Sequence, residues 1–569
     1  MAGSNGTLLL ALRIVLFCAL ASVATTLLPL VTRPCAYSLP RTILAASGLD
    51  PRLISCADDG SAKAQLSDGD GGHNKAGSGG RPIVTDLLSC GEPRLPSHAL
   101  PPFRCCPPTP ASDAAVANFT FPDPGEPLRT RQPAHGAAGA DSVARYARAV
   151  ALMKALPESD PRSFYQQANI HCAYCTAAYR QAGRPELHVQ IHFSWLFFPF
   201  HRAYLYFFER VAARLLGDPG FAVPFWSWDV PEGMRVPPEF ADAASPLYDP
   251  IRNPEHAPPR VVDLDFSKVD KNYTDEQQIQ LNLRTMYKQM VTNAPLPSLF
   301  YGQPYRAGDR EMPGAGTVEL SPHNTIHVWA GDLSQPNHEN MGTYYSAARD
   351  PIFFPHHTNS DRLWEVWRGG PARHADFTDP DWLDSSFLFY DEDARLVRVT
   401  VRDMLDIGRL RYAYAEVGLP WLSARPPINP GDVNRGRDPP HLESVRFPVS
   451  LDAPVTAEVS RRPGKPRSHW EEVLVVEGIK ADGADFVKFD VYVNAVDHEK
   501  IMPGGREMAG SFVSLKHPGN MVVQSSMRVA LNELLEDLGA EGDDSVTVTL
   551  VPVEGRVRIG GLRIVYMAE

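Results

Sequence analysis

Positive charge is what this chain most conspicuously lacks. Its formal net charge is -12 over 569 residues, which excludes the basic face that a nucleic-acid partner requires. No zinc-finger, P-loop or dinucleotide-binding pattern stands out, so phosphate cradling and nicotinamide chemistry have no foothold. Membrane-length apolar runs are missing beyond the N-terminus. Only Ile14 to Val31, uncharged and preceded by Arg13, approaches that length. Ser22-Val23-Ala24 spaces small residues as a signal peptidase requires, so residues 1–32 read as a cleaved targeting segment, with an uncleaved anchor as the alternative. Membrane contact is expected through that segment alone. Cysteine is also sparse. Loss of Cys18 with the signal leaves seven: Cys35, Cys56, Cys90, Cys105, Cys106, Cys172 and Cys175. The usage suits an oxidising compartment. The odd number means that one thiol is free, bonds another chain or carries other chemistry.

What is present is ordinary globular composition, with 43% hydrophobic and 21% charged residues, enough for a sizeable core. Residues 33–85 hold Asp68-Gly-Asp-Gly-Gly-His73 and Lys75-Ala-Gly-Ser-Gly-Gly80, too poor in apolar surface to order themselves, and read as a flexible linker. Aromatic density marks 86–425 as the catalytic domain. Residues 426–445, rich in Pro, Gly and Arg, read as a second linker open to proteolysis. In 446–569 the pattern changes to period-two runs, Glu472–Glu477, Val487–Val493, Ser545–Val551 and Leu562–Tyr566, which predict a small β-sandwich or barrel interrupted by one helix over Met527–Leu538. Asn5, Asn118 and Asn272 open glycosylation acceptor patterns.

Six of the 18 histidines stand out. In Ser321-Pro-His-Asn-Thr-Ile-His-Val-Trp-Ala-Gly331, Ser321 suits an N-cap, Pro322 the first helical position and Gly331 the stop. His323 and His327 then share a helix face and could grip one metal, although a solvated face explains the pair equally well. Asn324 stands where a zinc peptidase needs Glu. His192 and His201 are nine apart and would oppose each other on one helix, so they converge only if a helix begins between them, near Pro199. His188 is a rival ligand, better suited to the surface or a supporting role. His356 and His357 point about 100° apart on a helix, and period alone does not choose between them. His171 stands in His171-Cys-Ala-Tyr-Cys175, which also reads as a disulfide-anchored loop with an incidental histidine.

These residues closely resemble the tyrosinase and catechol oxidase family, and plant polyphenol oxidases in particular. The resemblance rests on His192 through Phe197, Phe200, His201-Arg202 and Leu205 to Glu209, and on Asp350-Pro351, Phe353, His357 and Asp361. Asp381-Trp-Leu383, Tyr412-Ala-Tyr414 and Lys488-Phe-Asp-Val491 add plant-type features, and the whole spans roughly 86–569. It implies a mainly α catalytic domain, a four-helix bundle holding two copper ions, followed by a β shielding domain. By the family motif the first copper falls to His171, His192 and His201, and the second to His323, His327 and His357. It further implies a thioether between Cys175 and His192, and disulfides Cys90–Cys106 and Cys105–Cys172. That accounts for the odd cysteine and leaves Cys35 and Cys56 to pair in the linker.

Imidazole suits both Cu(I) and Cu(II). The implied activity is oxidation of o-diphenols to o-quinones by dioxygen, with small phenols as substrates and an activating protease as partner. Glu319 and Asn324 match positions that would hold a water as general base, extending the activity to monophenols. Tyr344 stands where the family often has Phe, which bears on substrate preference. A haemocyanin-like oxygen carrier would use the same histidines, and a structural zinc protein is a further rival. The N-terminus suggests the secretory pathway, ending in a vacuole, with the thylakoid lumen as the alternative.

Overall fold

The computed structural model describes residues 80–101, 104–108, 116–267, 272–310, 312–370, 372–428, 445–461, 470–501, 504–517 and 521–568. The targeting segment, Asn5, Cys18, Cys35, Cys56 and most of both expected linkers lie outside them.

The helices that build the centre of the molecule are α1 (Gly136–Lys154), α2 (Phe164–Cys175), α3 (Phe197–Leu216), α4 (Asp275–Tyr287), α5 (Asn324–Ala330) and α6 (Phe353–Gly369). They pack in one continuous apolar core. Helix α3 is buried nearly all round, as its run of Phe, Tyr and Leu demands. Helices α3 and α6 start two residues ahead of Pro199 and Pro355. A proline is tolerated there because the first-turn N–H groups have no intrahelical acceptor. Ser321 does not cap α5. Its backbone is extended (φ -152°, ψ 130°), its hydroxyl donates to the Leu264 carbonyl at 3.1 Å, and α5 begins only at Asn324.

A buried ionic cluster clamps α3 to α6. Arg131 spans Glu209 (2.9 Å) and Asp361 (3.0 Å), and Arg202 bonds the other Asp361 oxygen at 2.5 Å. Tyr412 and Tyr414 donate to Asp361 at 2.8 and 2.5 Å. Burial pushes the Asp361 carboxyl up, but the two guanidinium groups outweigh it and hold it below its ordinary range.

The C-terminal part has two antiparallel sheets. Its principal strands are β1 (Val455–Ser460), β2 (Glu471–Asp482), β3 (Val487–Val493), β4 (Met508–Ser514), β5 (Val522–Ala530), β6 (Ser545–Glu554) and β7 (Gly561–Met567). One sheet runs β1-β6-β3-β4, while in the other β2 is flanked by β5 and β7. Their inner faces share an apolar core. The expected helix over 527–538 is shorter. Residues 522–530 alternate in burial and pair with β2, so they form β5, and only Asn532–Leu538 is helical (α7). Pairing with β2 overrides the local helical pattern.

Asp361→Ala should lower stability by about 3–5 kcal/mol, because two buried guanidinium groups lose their shared partner; denaturant unfolding followed by tryptophan fluorescence reads it. Since the Asp361 pKa is lowered by folding, its contribution is present above the ordinary carboxylate range and falls away as pH drops through the lowered value.

Candidate metal centre

His171 lies one turn before the end of α2, His201 stands in the second turn of α3, His323 and His327 flank the start of α5, and His357 lies early in α6. His192 sits in the loop before α3. All six are at most 3% exposed. The rings of His192 and His201 are 5.3 Å apart, those of His323 and His357 4.8 Å, and those of His201 and His357 stack at 4.1 Å. Loop and helices thus bring six imidazoles into one enclosed cluster.

Their hydrogen bonds decide which nitrogen faces inward. The Nδ1 atoms of His171, His201 and His327 meet the backbone oxygens of Tyr344, Phe197 and Met341 at 2.8–2.9 Å. A carbonyl only accepts, so each Nδ1 carries the hydrogen and each Nε2 presents a lone pair. The Nε2 atoms of His171 and His201 have no partner. Those of His323, His327 and His357 stand 3.2–3.4 Å from one another. With Nδ1 of His323 and of His327 each donating to an oxygen, their Nε2 lone pairs face each other at 3.2 Å and repel unless a cation stands between them. Burial, first of all, depresses the imidazole pKa values, His201 to about 3 and His327 to about 4. The rings are therefore neutral, as a metal ligand must be. The donor set fits copper: neutral imidazoles in a buried pocket, three of them oriented from behind by carbonyls.

Two groups of side chains have ligand atoms within 4.8 Å of one another: His171, Cys175 and His192, and His323, His327, His356 and His357. His356 stacks on His323 at 5.0 Å. His357 is the one of the adjacent pair in ring contact with His171 and His201, so it faces both groups while His356 flanks one. His188 and His201 lie outside both, His188 with its Nδ1 bonded to the Ala177 oxygen at 2.8 Å and His201 stacked on His357 at 4.1 Å. Cys175 carries a buried free thiol beside His192, and burial, then Glu319, raises its pKa. The structure joins Cys90 to Cys106 and Cys105 to Cys172.

Glu319 accepts from the Phe193 N–H at 2.6 Å and keeps its second oxygen buried and unpartnered. Burial raises its pKa well above the ordinary value. Asn324 accepts from His323 Nδ1 at 3.0 Å and donates to the Val513 carbonyl at 3.0 Å. Glu319 and Asn324 therefore hold separate protein partners and are not hydrogen-bonded to each other. The Tyr344 ring lies 4.5 Å from that of His192, with its hydroxyl buried and unpartnered. From the C-terminal part, His517 packs on Tyr344 at 4.6 Å. No local pattern marks His517 in the sequence; only the placement of the segment that follows β4 does.

Three family models match the chain: the common central domain of tyrosinase over residues 161–369, the polyphenol oxidase middle domain over 376–427, and the chloroplastic polyphenol oxidase C-terminal domain over 447–566. A chloroplastic polyphenol oxidase of Malus domestica is 48% identical over 510 residues, 85% of either chain. Aureusidin synthase of Antirrhinum majus is 48% identical over 484 residues, 82% of this chain and 85% of that one. The solved structure of latent apple tyrosinase superposes with a TM-score of 0.75 at 49% identity, covering 80% of this chain and all of that one. None of these similarities favours an oxygen carrier. Identity at this level over so much of its length shows that the chain belongs to the plant polyphenol oxidases, oxidoreductases of the copper-binding tyrosinase family.

Proposed function

We propose that the protein is a catechol oxidase that binds one copper through His171, His192 and His201 and a second through His323, His327 and His357. The convergence of buried Nε2 atoms, unpartnered in His171, His192 and His201 and 3.2–3.4 Å from one another in His323, His327 and His357, supports this most directly. Two coppers bound there would supply paired one-electron redox chemistry toward dioxygen. Two catechols and one dioxygen then give two o-quinones and two waters. The protein's part is to hold six neutral donors, exclude water behind the aromatic wall of α3, and seat the phenol ring. Replacing His327 by Ala should leave about one copper per chain and abolish quinone formation, as metal analysis and a 4-methylcatechol assay would read. Full retention of both coppers would refute the ligand set.

Monophenol hydroxylation is the finer reading, with a water held between Glu319 and Asn324 as general base. The unclaimed Glu319 oxygen favours it. Asn324→Gly should lower the monophenol-to-diphenol rate ratio by on the order of tenfold, below the usual range for a positioned base.

We further infer a thioether between Cys175 and His192, which the nearness of the Cys175 sulfur to the His192 ring supports. Forming the C–S bond removes two hydrogens, with bound copper and dioxygen as the oxidant. The intact protein should therefore be lighter by two hydrogen masses after aerobic copper loading, a change that Cys175→Ser abolishes.

The C-terminal part shields the site in an inactive precursor, and an activating protease cuts within about 425–445. The seating of His517 on Tyr344 supports this. A full-length protein as active as its trimmed form would contradict it. For location, the chloroplastic designation of the Malus relative favours the thylakoid lumen, and the secretory and vacuolar expectation gains no support from the relatives. Co-localisation of a C-terminally tagged chain with chlorophyll tests it.

A further inference from the structure

Among the five copper-site histidines whose ring nitrogens have a hydrogen-bond partner or neighbour, His323 is held in a way the others are not. Backbone oxygens face Nδ1 of His171, His201 and His327, and a backbone oxygen cannot become a donor. Nδ1 of His323 faces the side-chain amide of Asn324. An amide has a donor end and an acceptor end, and a half-turn exchanges them. With its NH2 toward Nδ1, the amide would favour the tautomer with hydrogen on Nε2, which has no lone pair left for a metal.

The amide end is selected by the C-terminal part. Nδ2 of Asn324 donates to the Val513 carbonyl of β4 at 3.0 Å. That oxygen only accepts, so the NH2 must face it, the amide oxygen must face His323, and Nε2 of His323 is left bare. The geometry points to a role for the docked C-terminal sheet in assembling the metal site: through Val513 and Asn324 it sets His323 in its metal-binding tautomer before copper arrives. Asn324 is thus a positioning residue for His323, and the sheet is an aid to copper loading as well as a cover. This rests on the two-copper reading above.

Strand β4 is anchored to the helical part independently of Asn324. Asn293 donates to the Ala509 carbonyl at 2.8 Å and Lys288 to the Met508 carbonyl at 3.1 Å. These anchors allow the strand to be loosened without touching the site. Asn324→Asp supplies the complementary change. Both carboxylate oxygens accept, so His323 must donate from Nδ1 whichever way the side chain turns; the other oxygen then opposes the Val513 carbonyl, and the sheet can no longer favour the metal-binding tautomer.

The test titrates the full-length apo protein anaerobically with Cu(I) against a chromophoric chelator, while amide exchange over 508–514 reports how firmly β4 is held. N293A should speed that exchange and weaken the second copper by roughly 2- to 10-fold, the worth of one buried hydrogen bond. If N293A is too mild to change exchange, K288M is added to it. In the N324D background the same loosening should not weaken the second copper, because an acceptor-only side chain holds His323 in one tautomer and gains from the release of the opposing Val513 carbonyl. A looser strand with unchanged affinity in the Asn324 protein would overturn the inference. So would an equal loss in both backgrounds, which would mean that the sheet acts by another route. Uptake of a single copper by the unmodified protein would instead refute the two-copper reading itself.

Discussion

A backbone oxygen behind an imidazole determines what the ring can do in front. Tyr344, Phe197 and Met341 each place a carbonyl against an Nδ1, and the opposite nitrogen has no choice but to present a lone pair. Water would satisfy that lone pair, but the pocket is closed. The rest of the helical part serves to keep these oxygens and rings in register. Helices α3 and α6, which bring His201 and His357 to a 4.1 Å stack, are held by Asp361 and Glu209 through Arg131 and Arg202. Asp361 is one helical turn beyond His357, and Arg202 is next to His201. Histidine and brace therefore move together, the kind of support that orients the residues of a metal site.

The sequence made part of this legible. The spacing of His323 and His327 and the prolines near 199, 322 and 355 announce helices with histidines near their starts, and period two announces the strands of the C-terminal part. Other features depend on contacts between distant residues. Period could not choose between His356 and His357, because the choice depends on which ring meets α2 and α3. Ser321 looked like a cap, yet its hydroxyl found the Leu264 oxygen. Residues 527–530 looked helical, yet β2 offered them a ladder. The assignment of His171 came through family resemblance. The contacts of Asn324 with Val513 and of Tyr344 with His517 join residues far apart in the chain, and no window of sequence contains both partners.

The two parts of the molecule share hydrogen bonds and an apolar core. Lys288, Asn293, Asn324 and Thr343 all donate to backbone oxygens of residues 508–516, and Tyr287 donates to Glu533. Lys488, fully buried, lies 2.5 Å from Asp490 and 3.8 Å from Asp265 of the helical part. Such groups are costly to bury singly and stable together. The seam is consequently specific in register, which is what allows a strand at its edge to meet a single amide.

Phe193, the neighbour of His192, and Leu320, the neighbour of Glu319, belong to the hydrophobic core of the C-terminal sheets, and the Phe193 ring packs on Phe512 at 5.8 Å. These side chains are at home in that core for as long as it stays in place. Departure of the sheets would strand a benzene ring and an isobutyl group in water at the rim of the histidine pocket. Water is a poor neighbour for such surface, whereas a planar aromatic molecule is a good one. Uncovering the pocket would in the same act lay down a greasy doorstep suited to a phenol.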